Sequence, residues 1–223
     1  MLAKLLPYCI YFGNSCWGHG MIVAAIMCGG KGSRMGQSSY IEKPLLRVKD
    51  KTMIEYVLHA LVASKKFERI VGVSSSNTPK TSTFLGECSP TLIDVIETEG
   101  TSYSKDLSAV LRSLKPAMVF VVSSDLPLLN AKIVQNIIFS CLLELPCISI
   151  VSEKQYVQSI GIKPSLVVTI GAKEYCHSGI SIIDSSKINK DRKLEEYYII
   201  MNEKEIAVNV NTRQELEVAR SLL

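Results

Sequence analysis

Residues 22–27, Ile-Val-Ala-Ala-Ile-Met, are all apolar and run without a break into Cys28-Gly29-Gly30-Lys31-Gly32-Ser33-Arg34-Met35-Gly36. A short apolar run that ends in glycines reads as a strand buried on both faces, the habit of a parallel sheet. Glycines directly after such a strand let backbone N–H groups turn inward and approach an anion closely. Lys31 and Arg34 add positive charge, and the Arg34 guanidinium suits two phosphate oxygens. An ordinary glycine-rich turn with solvated basic side chains has the same composition. The dinucleotide fingerprint fits less well: Gly30-x-Gly32 is in place, but the third glycine falls at Gly36, with Arg34 between. The residue order of a Walker A loop is absent.

The rest of the chain repeats the alternation of strand and helix. Thr52 with Glu55 predicts a capping box that opens a helix at 53–64, with Ile54, Val57, Leu58 and Leu61 on its buried side. Strands are predicted at 69–74, 92–96 and 117–123. A helix is predicted from about 103 to 114, and another after Asn130, carrying Ile133, Ile137 and Ile138. Further strands are predicted at 147–151, 166–170, 179–183 and 205–210. A last helix starts at Thr212, with Glu215 placed for a second capping box. Alternation of this kind implies right-handed βαβ units and a Rossmann-like, three-layer αβα fold with a mostly parallel central sheet. The less regular stretch 152–204 is expected to supply an antiparallel edge and a lid.

Length and composition agree. The 223 residues, 47% hydrophobic and 21% charged, suit a globular α/β chain with a sizeable core. The net charge of +4 is too mild to argue for nucleic acid, but it suits an anionic small molecule. No apolar run has the length of a membrane span. The seven cysteines form no C-x-x-C pair and the three histidines no H-x-x-x-H. That pattern argues against zinc and fits reduced thiols in a cytoplasmic protein. Residues 1–20, interrupted by Pro7, read as an extension of unclear role. Residues 21–223 read as a single domain.

Ligands of such sheets bind beyond the carboxyl ends of the strands. The candidate residues fall there. They are the loop 29–36; Ser76, Asn77, Thr78 and Lys80 after the second strand; and Glu97, Glu99, Gly100 and Asp106 after the third. Asp125 follows the fourth. Asp125 ends an apolar strand and is the metal-ligand candidate, against the alternative of capping the turn before Pro127. Asn77 or Thr78 is equally well placed to cap a helix at Pro79. A carboxylate among Glu97, Glu99 and Asp106 suits N–H groups of a bound ligand, or belongs to a solvated acidic loop. His177 and Cys28 read as structural.

The loop G-G-x-G-x-R-M-G, followed closely by Glu42-Lys43-Pro44, resembles the nucleotidyltransferases related to the molybdenum-cofactor guanylyltransferases. The later motifs are similar to the archaeal GTP:adenosylcobinamide-phosphate guanylyltransferases. They are Ser76-Asn77-Thr78-Pro79-Lys80-Thr81, Val122-Ser123-Ser124-Asp125-Leu126, Ser178-Gly179-Ile180-Ser181-Ile182 and Asn209-Val210-Asn211-Thr212. The resemblance spans residues 21–223 and is weakest at 152–173. It implies the nucleotide-diphospho-sugar transferase type of fold. It implies that Gly29, Gly30, Lys31, Gly32, Ser33, Arg34, Met35 and Gly36 wrap a triphosphate, with Arg34 on the outer phosphates and Lys43 at the α-phosphate. Ser76, Asn77, Gly100 and Asp125 complete the expected nucleotide site, with Asp125 on Mg2+. The expected partners are GTP and adenosylcobinamide phosphate, with no nucleic acid, and a homodimer is left open. Many relatives carry a second acidic ligand where Asn209 and Asn211 stand here. That departure keeps two alternatives in view: another nucleotidyl transfer of the superfamily, or a GTP-binding regulator without chemistry.

Overall fold

The computed structural model describes residues 4–6, 22–30, 41–88, 93–141, 145–189 and 194–223. Strand β1 (Lys4–Leu6) is followed by β2 (Ile22–Met27), the predicted buried strand. A two-stranded ribbon, β3 (Arg47–Val48) and β4 (Lys51–Thr52), leads into α1 (Met53–Ser64). Then come β5 (Arg69–Ser75), α2 (Pro79–Glu87), β6 (Ile93–Thr98), α3 (Tyr103–Ser113), β7 (Met118–Ser123) and α4 (Ala131–Ser140). The last part holds β8 (Cys147–Glu153), α5 (Lys154–Ser159), β9 (Val167–Ile170), β10 (Lys173–Asp184), β11 (Tyr197–Ile200), α6 (Lys204–Ala207) and α7 (Arg213–Leu222).

The main sheet has the order β1-β11-β8-β10-β7-β2-β5-β6, with β9 paired to β10. Its right half, β7-β2-β5-β6, is wholly parallel. Met27 is level with Ser123 on one side and Val73 on the other, and Ser75 is level with Thr98. The carboxyl ends of these strands therefore finish along one edge, where the loops that follow them meet. Alternation along β2 feeds both layers. Ala24 and Ile26 pack with Ile54, Val57 and Leu61 of α1 and with Ile133 and Ile137 of α4. Val23, Ala25 and Met27 pack with Val110 and Leu111 of α3. Burying a strand on both sides is what its unbroken apolar run requires.

The capping box at α1 forms as predicted: Glu55 Oε2 accepts from the Thr52 N–H at 2.6 Å, and Thr52 Oγ1 accepts from the Glu55 N–H at 3.4 Å. Asn130 caps α4 through the Ile133 N–H at 3.0 Å. The second box is only half formed. Thr212 Oγ1 accepts from the Glu215 N–H at 3.2 Å, but Glu215 Oε2 accepts from Asn211 N–H, at 2.7 Å.

The structure departs from the sequence reading at three places. The stretch 152–204 supplies two antiparallel strands: β9, which pairs only with β10, and β10 itself, which is not at an edge but inserts between β7 and β8, antiparallel to both. The strand at 197–200 was not anticipated; it lies parallel to β8 and pairs with β1 on its far side. The strand expected at 205–210 is a helical turn followed by irregular chain. Ile206, Val208 and Val210 are fully buried, which accounts for the alternation. Their N–H groups, however, go to Glu203, Lys204 and the Asp125 carbonyl, so no ladder forms.

Candidate active site

A cleft of about 270 Å³ opens at the carboxyl edge of the parallel strands. Its floor is Met27, Cys28, Gly29 and Gly30. One wall is Thr98, Gly100, Thr101, Ser102, Tyr103 and Asp106, and the other is Lys43, Pro44 and Ser123 to Asp125. The loops after β2, β6 and β7 thus converge as the sequence predicts, while the loop after β5 contributes no lining residue.

Lys43 and Asp125 meet at the far side of this cleft. The Lys43 ammonium forms an ion pair with Asp125 Oδ2 and donates to Asn211 Oδ1 at 3.0 Å. Both side chains are largely buried, 15% and 10% exposed, so their attraction is screened less than that of a surface pair. Asn211 is itself held. Its Nδ2 donates to Asn209 Oδ1 at 2.7 Å, and its backbone N–H is the group bound by Glu215. The carboxylate displaced from the second capping box therefore fixes the amide that faces Lys43. Asp125 is tied to the same segment through its carbonyl, which accepts from the Val210 N–H at 3.0 Å.

Asp125 Oδ1 is buried and finds no hydrogen-bond donor among the described residues. A buried carboxylate oxygen without a partner is costly, and a hard cation held jointly by a carboxylate, an amide oxygen and substrate phosphates fits this place. Among the described residues, no group of three or more His, Cys, Asp or Glu side chains forms a metal cage.

Glu42 was not singled out by the sequence. Its carboxylate accepts from the backbone N–H groups of Lys80 at 2.8 Å and Thr81 at 2.7 Å, and from Thr81 Oγ1 at 2.6 Å. It thereby supplies the N-terminal cap of α2. Thr78, the residue in the cap position, makes no side-chain cap bond, and its hydroxyl accepts from the Ser75 N–H instead. The visible signal was adjacency, because Glu42 directly precedes Lys43.

The other candidates divide. Gly29, Gly30, Lys43, Gly100 and Asp125 line the cleft. Lys31, Gly32, Ser33, Arg34, Met35 and Gly36 lie outside the described residues. Ser76 and Asn77 do not line the cleft: Ser76 Oγ donates to the Glu99 carbonyl at 2.8 Å, and Asn77 Nδ2 donates to the Gly100 carbonyl at 2.9 Å. The Gly100 N–H is also taken, by Asp106 Oδ1 at 3.1 Å. Glu97 accepts from Ser82 and, like Glu99, lies outside the cleft lining. His177 packs edge-on against Tyr198, ring centroids 5.8 Å apart. Burial pushes the Cys28 thiol up to about 12, which suits a space-filling residue and not a nucleophile.

The model of the MobA-like NTP transferase domain matches residues 24–178. An adenosylcobinamide-phosphate guanylyltransferase of Methanocaldococcus jannaschii is 32% identical over 214 residues, 90% of this chain and 96% of that protein. Among solved structures, a hypothetical transferase of Thermus thermophilus is similar, with a TM-score of 0.66 at 16% identity, over 88% of this chain and 99% of that one. The 4-diphosphocytidyl-2C-methyl-D-erythritol synthase of Anaerococcus prevotii gives a TM-score of 0.64 at 12% identity, over 91% and 98%. These structural likenesses establish the αβα fold of this transferase type. The family match covers more than half of the chain and includes the cleft floor, Lys43 and Asp125. The chain belongs to the MobA-like NTP transferase domain family.

Proposed function

We propose that this protein transfers GMP from GTP to adenosylcobinamide phosphate, releasing pyrophosphate and forming adenosylcobinamide-GDP, with Mg2+ as the assisting cation. The observation that carries this reading is the match, along 96% of its length, to a relative of that name. The Lys43–Asp125 arrangement at the cleft supports it.

In this reaction a phosphate oxygen of the acceptor attacks the α-phosphorus of GTP in line. The new P–O bond forms as the bond to the bridging α–β oxygen breaks, and that oxygen leaves with the pyrophosphate. The nucleophile comes from substrate, so the protein's part is to position and to neutralise charge. Backbone groups at Gly29 and Gly30 face the phosphates. Lys43, braced by Asn211, directs its ammonium at the α-phosphate. Asp125 and the Asn211 amide oxygen are the residues that would hold Mg2+, which supplies further charge neutralisation when bound. Arg34 is assigned to the leaving pyrophosphate by the resemblance.

The test is pyrophosphate release from GTP, ATP and CTP, each paired with adenosylcobinamide phosphate, a sugar 1-phosphate and the molybdenum-cofactor precursor. Release only with GTP and adenosylcobinamide phosphate is expected. Turnover with a different pairing assigns another transfer of the family, and GTP binding without release under any pairing assigns a regulator.

A further inference from the structure

Asn77 lines neither the cleft nor the Lys43 cluster, yet it joins the cleft floor to one of its walls. The chain of contacts begins at the floor. Ser75 Oγ donates to the Gly29 carbonyl at 2.9 Å. The Asn77 N–H donates back to Ser75 Oγ at 3.2 Å, and Asn77 Nδ2 donates to the Gly100 carbonyl at 2.9 Å. The Gly100 N–H then donates to Asp106 Oδ1, on α3. The C=O and the N–H of Gly100 thus both have partners within the protein, which fix its peptide groups in place.

The packing is as close as the bonding. A Cβ at Gly100, where φ is +70°, would lie 2.3 Å from Asn77 Nδ2 and 2.8 Å from Ser75 Oγ. A Cβ at Gly29 would lie 3.0 Å from Ser75 Cβ and Oγ. Two glycines thus close on one serine, and Asn77 clamps the arrangement. A gap set by direct contact on both sides responds to a change in any member.

We infer that Asn77, with Ser75, is a positioning residue that sets the spacing between the Gly29–Gly30 floor and the Gly100–Tyr103 wall, and through it the selectivity for the nucleoside part of the triphosphate. This inference rests on the proposed nucleotide site. In this reading Asn77 acts through Ser75 and Gly100 and not by touching the nucleotide, unlike the direct contact expected from the sequence.

The test compares wild type with Asn77→Ala and Asn77→Asp, the latter keeping shape while losing the donor to Gly100. Affinities for GTP, ATP and inorganic tripolyphosphate are measured by calorimetry, beside steady-state KM and kcat. Loss of this part-buried hydrogen bond predicts GTP affinity weakened by up to about 10-fold and the GTP:ATP ratio narrowed. Tripolyphosphate affinity and kcat at saturation should hold, because the glycine loop and Lys43 are untouched. A merely structural role would lower the melting temperature without changing the GTP:ATP ratio, and that result overturns the inference. So does an equal loss of tripolyphosphate affinity, which would make Asn77 a phosphate contact. If wild type binds no nucleoside triphosphate, the nucleotide site falls and the inference with it. If wild type binds and both variants match it, the inference alone falls.

Discussion

The Glu42 carboxylate accepts the backbone N–H of Thr81 at 2.7 Å, joining the residue before Lys43 to the first turn of α2. The negative group sits at the positive end of a helix whose own cap residue makes no side-chain bond. It also fixes the 3-10 turn Lys43–Leu45, from which the lysine reaches Asp125. Glu42→Ala therefore removes a cap and loosens a site at once. A lost cap costs about 1 kcal/mol, and more where several donors are orphaned. For a chain of this size, a fall in melting temperature of roughly 2–6 °C is expected, together with a reduced kcat. Glu42→Gln, which keeps one acceptor oxygen, should fall between. A melting temperature and kcat equal to wild type in Glu42→Ala would remove Glu42 from both roles.

Lys43 is the only described side chain paired with Asp125, which makes its removal informative in two directions. Lys43→Ala should bind GTP much as wild type does, while transfer slows by about 100–1,000-fold, the usual scale for one lost transition-state contact. The same change leaves both Asp125 oxygens without a cation. Divalent metal should then raise the melting temperature of the variant more than that of wild type. Thermal shift with and without Mn2+ checks this, and an equal or smaller response in the variant would mean that Asp125 does not receive the metal.

The parallel half of the fold was legible because its strands are buried on both faces and bounded by glycines and caps. The inserted strand β10 was legible only over 179–183, and its length and its place between β7 and β8 were not. Its twelve residues include Lys173, Glu174, His177 and Gly179, which hide the alternation of the buried positions. The strand at 197–200 follows Glu195 and Glu196. Glu196 is satisfied by Ser149 at 2.6 Å and Tyr198 at 2.8 Å, partners that only the folded sheet supplies. Within the site, Lys43 and Asp125 could each be found from their place beside a glycine loop or a strand end. Their pairing spans 82 positions and has no local signature. Asn77 is placed by its position after a strand end, while the partner of its amide, the Gly100 carbonyl, lies 23 positions away and has no local signature.

His177 gives a pH dependence with a defined sign. Burial beside Tyr198 lowers its pKa below the ordinary value of 6.5. The folded protein therefore prefers the neutral ring, and the unfolded chain takes up the proton first as pH falls. Stability at this position is unaffected above the unfolded value and is lost between it and the lower folded value. Asp184, whose carboxyl is held low by Ser186 and Lys187 against its own burial, loses stability in the same direction but only in more acid solution. His177→Phe should flatten the fall in melting temperature between pH 7.5 and pH 5. An unchanged slope in that variant would show that the ring is free to protonate in the folded state.

The thiols follow from burial as well. Cys28 lies in the cleft floor, 2% exposed, with its Sγ directed at the Ile26 carbonyl at 3.4 Å. Cys141 and Cys147 are likewise buried, and each is pushed up to about 12 by desolvation. Too little thiolate exists at these sites near neutral pH to attack an alkylating agent. Cys88, half-buried at the end of α2, is raised less and is the better target. Iodoacetamide at pH 8 should label Cys88 well before Cys28, as read by peptide mass mapping. Since Cys28 fills space and contributes no nucleophile, Cys28→Ala should keep transfer within a few-fold of wild type, with a modest loss of stability from the small void. Early labelling of Cys28, with activity falling in proportion, would instead place a reactive thiolate in the cleft and assign Cys28 a chemical part in the site.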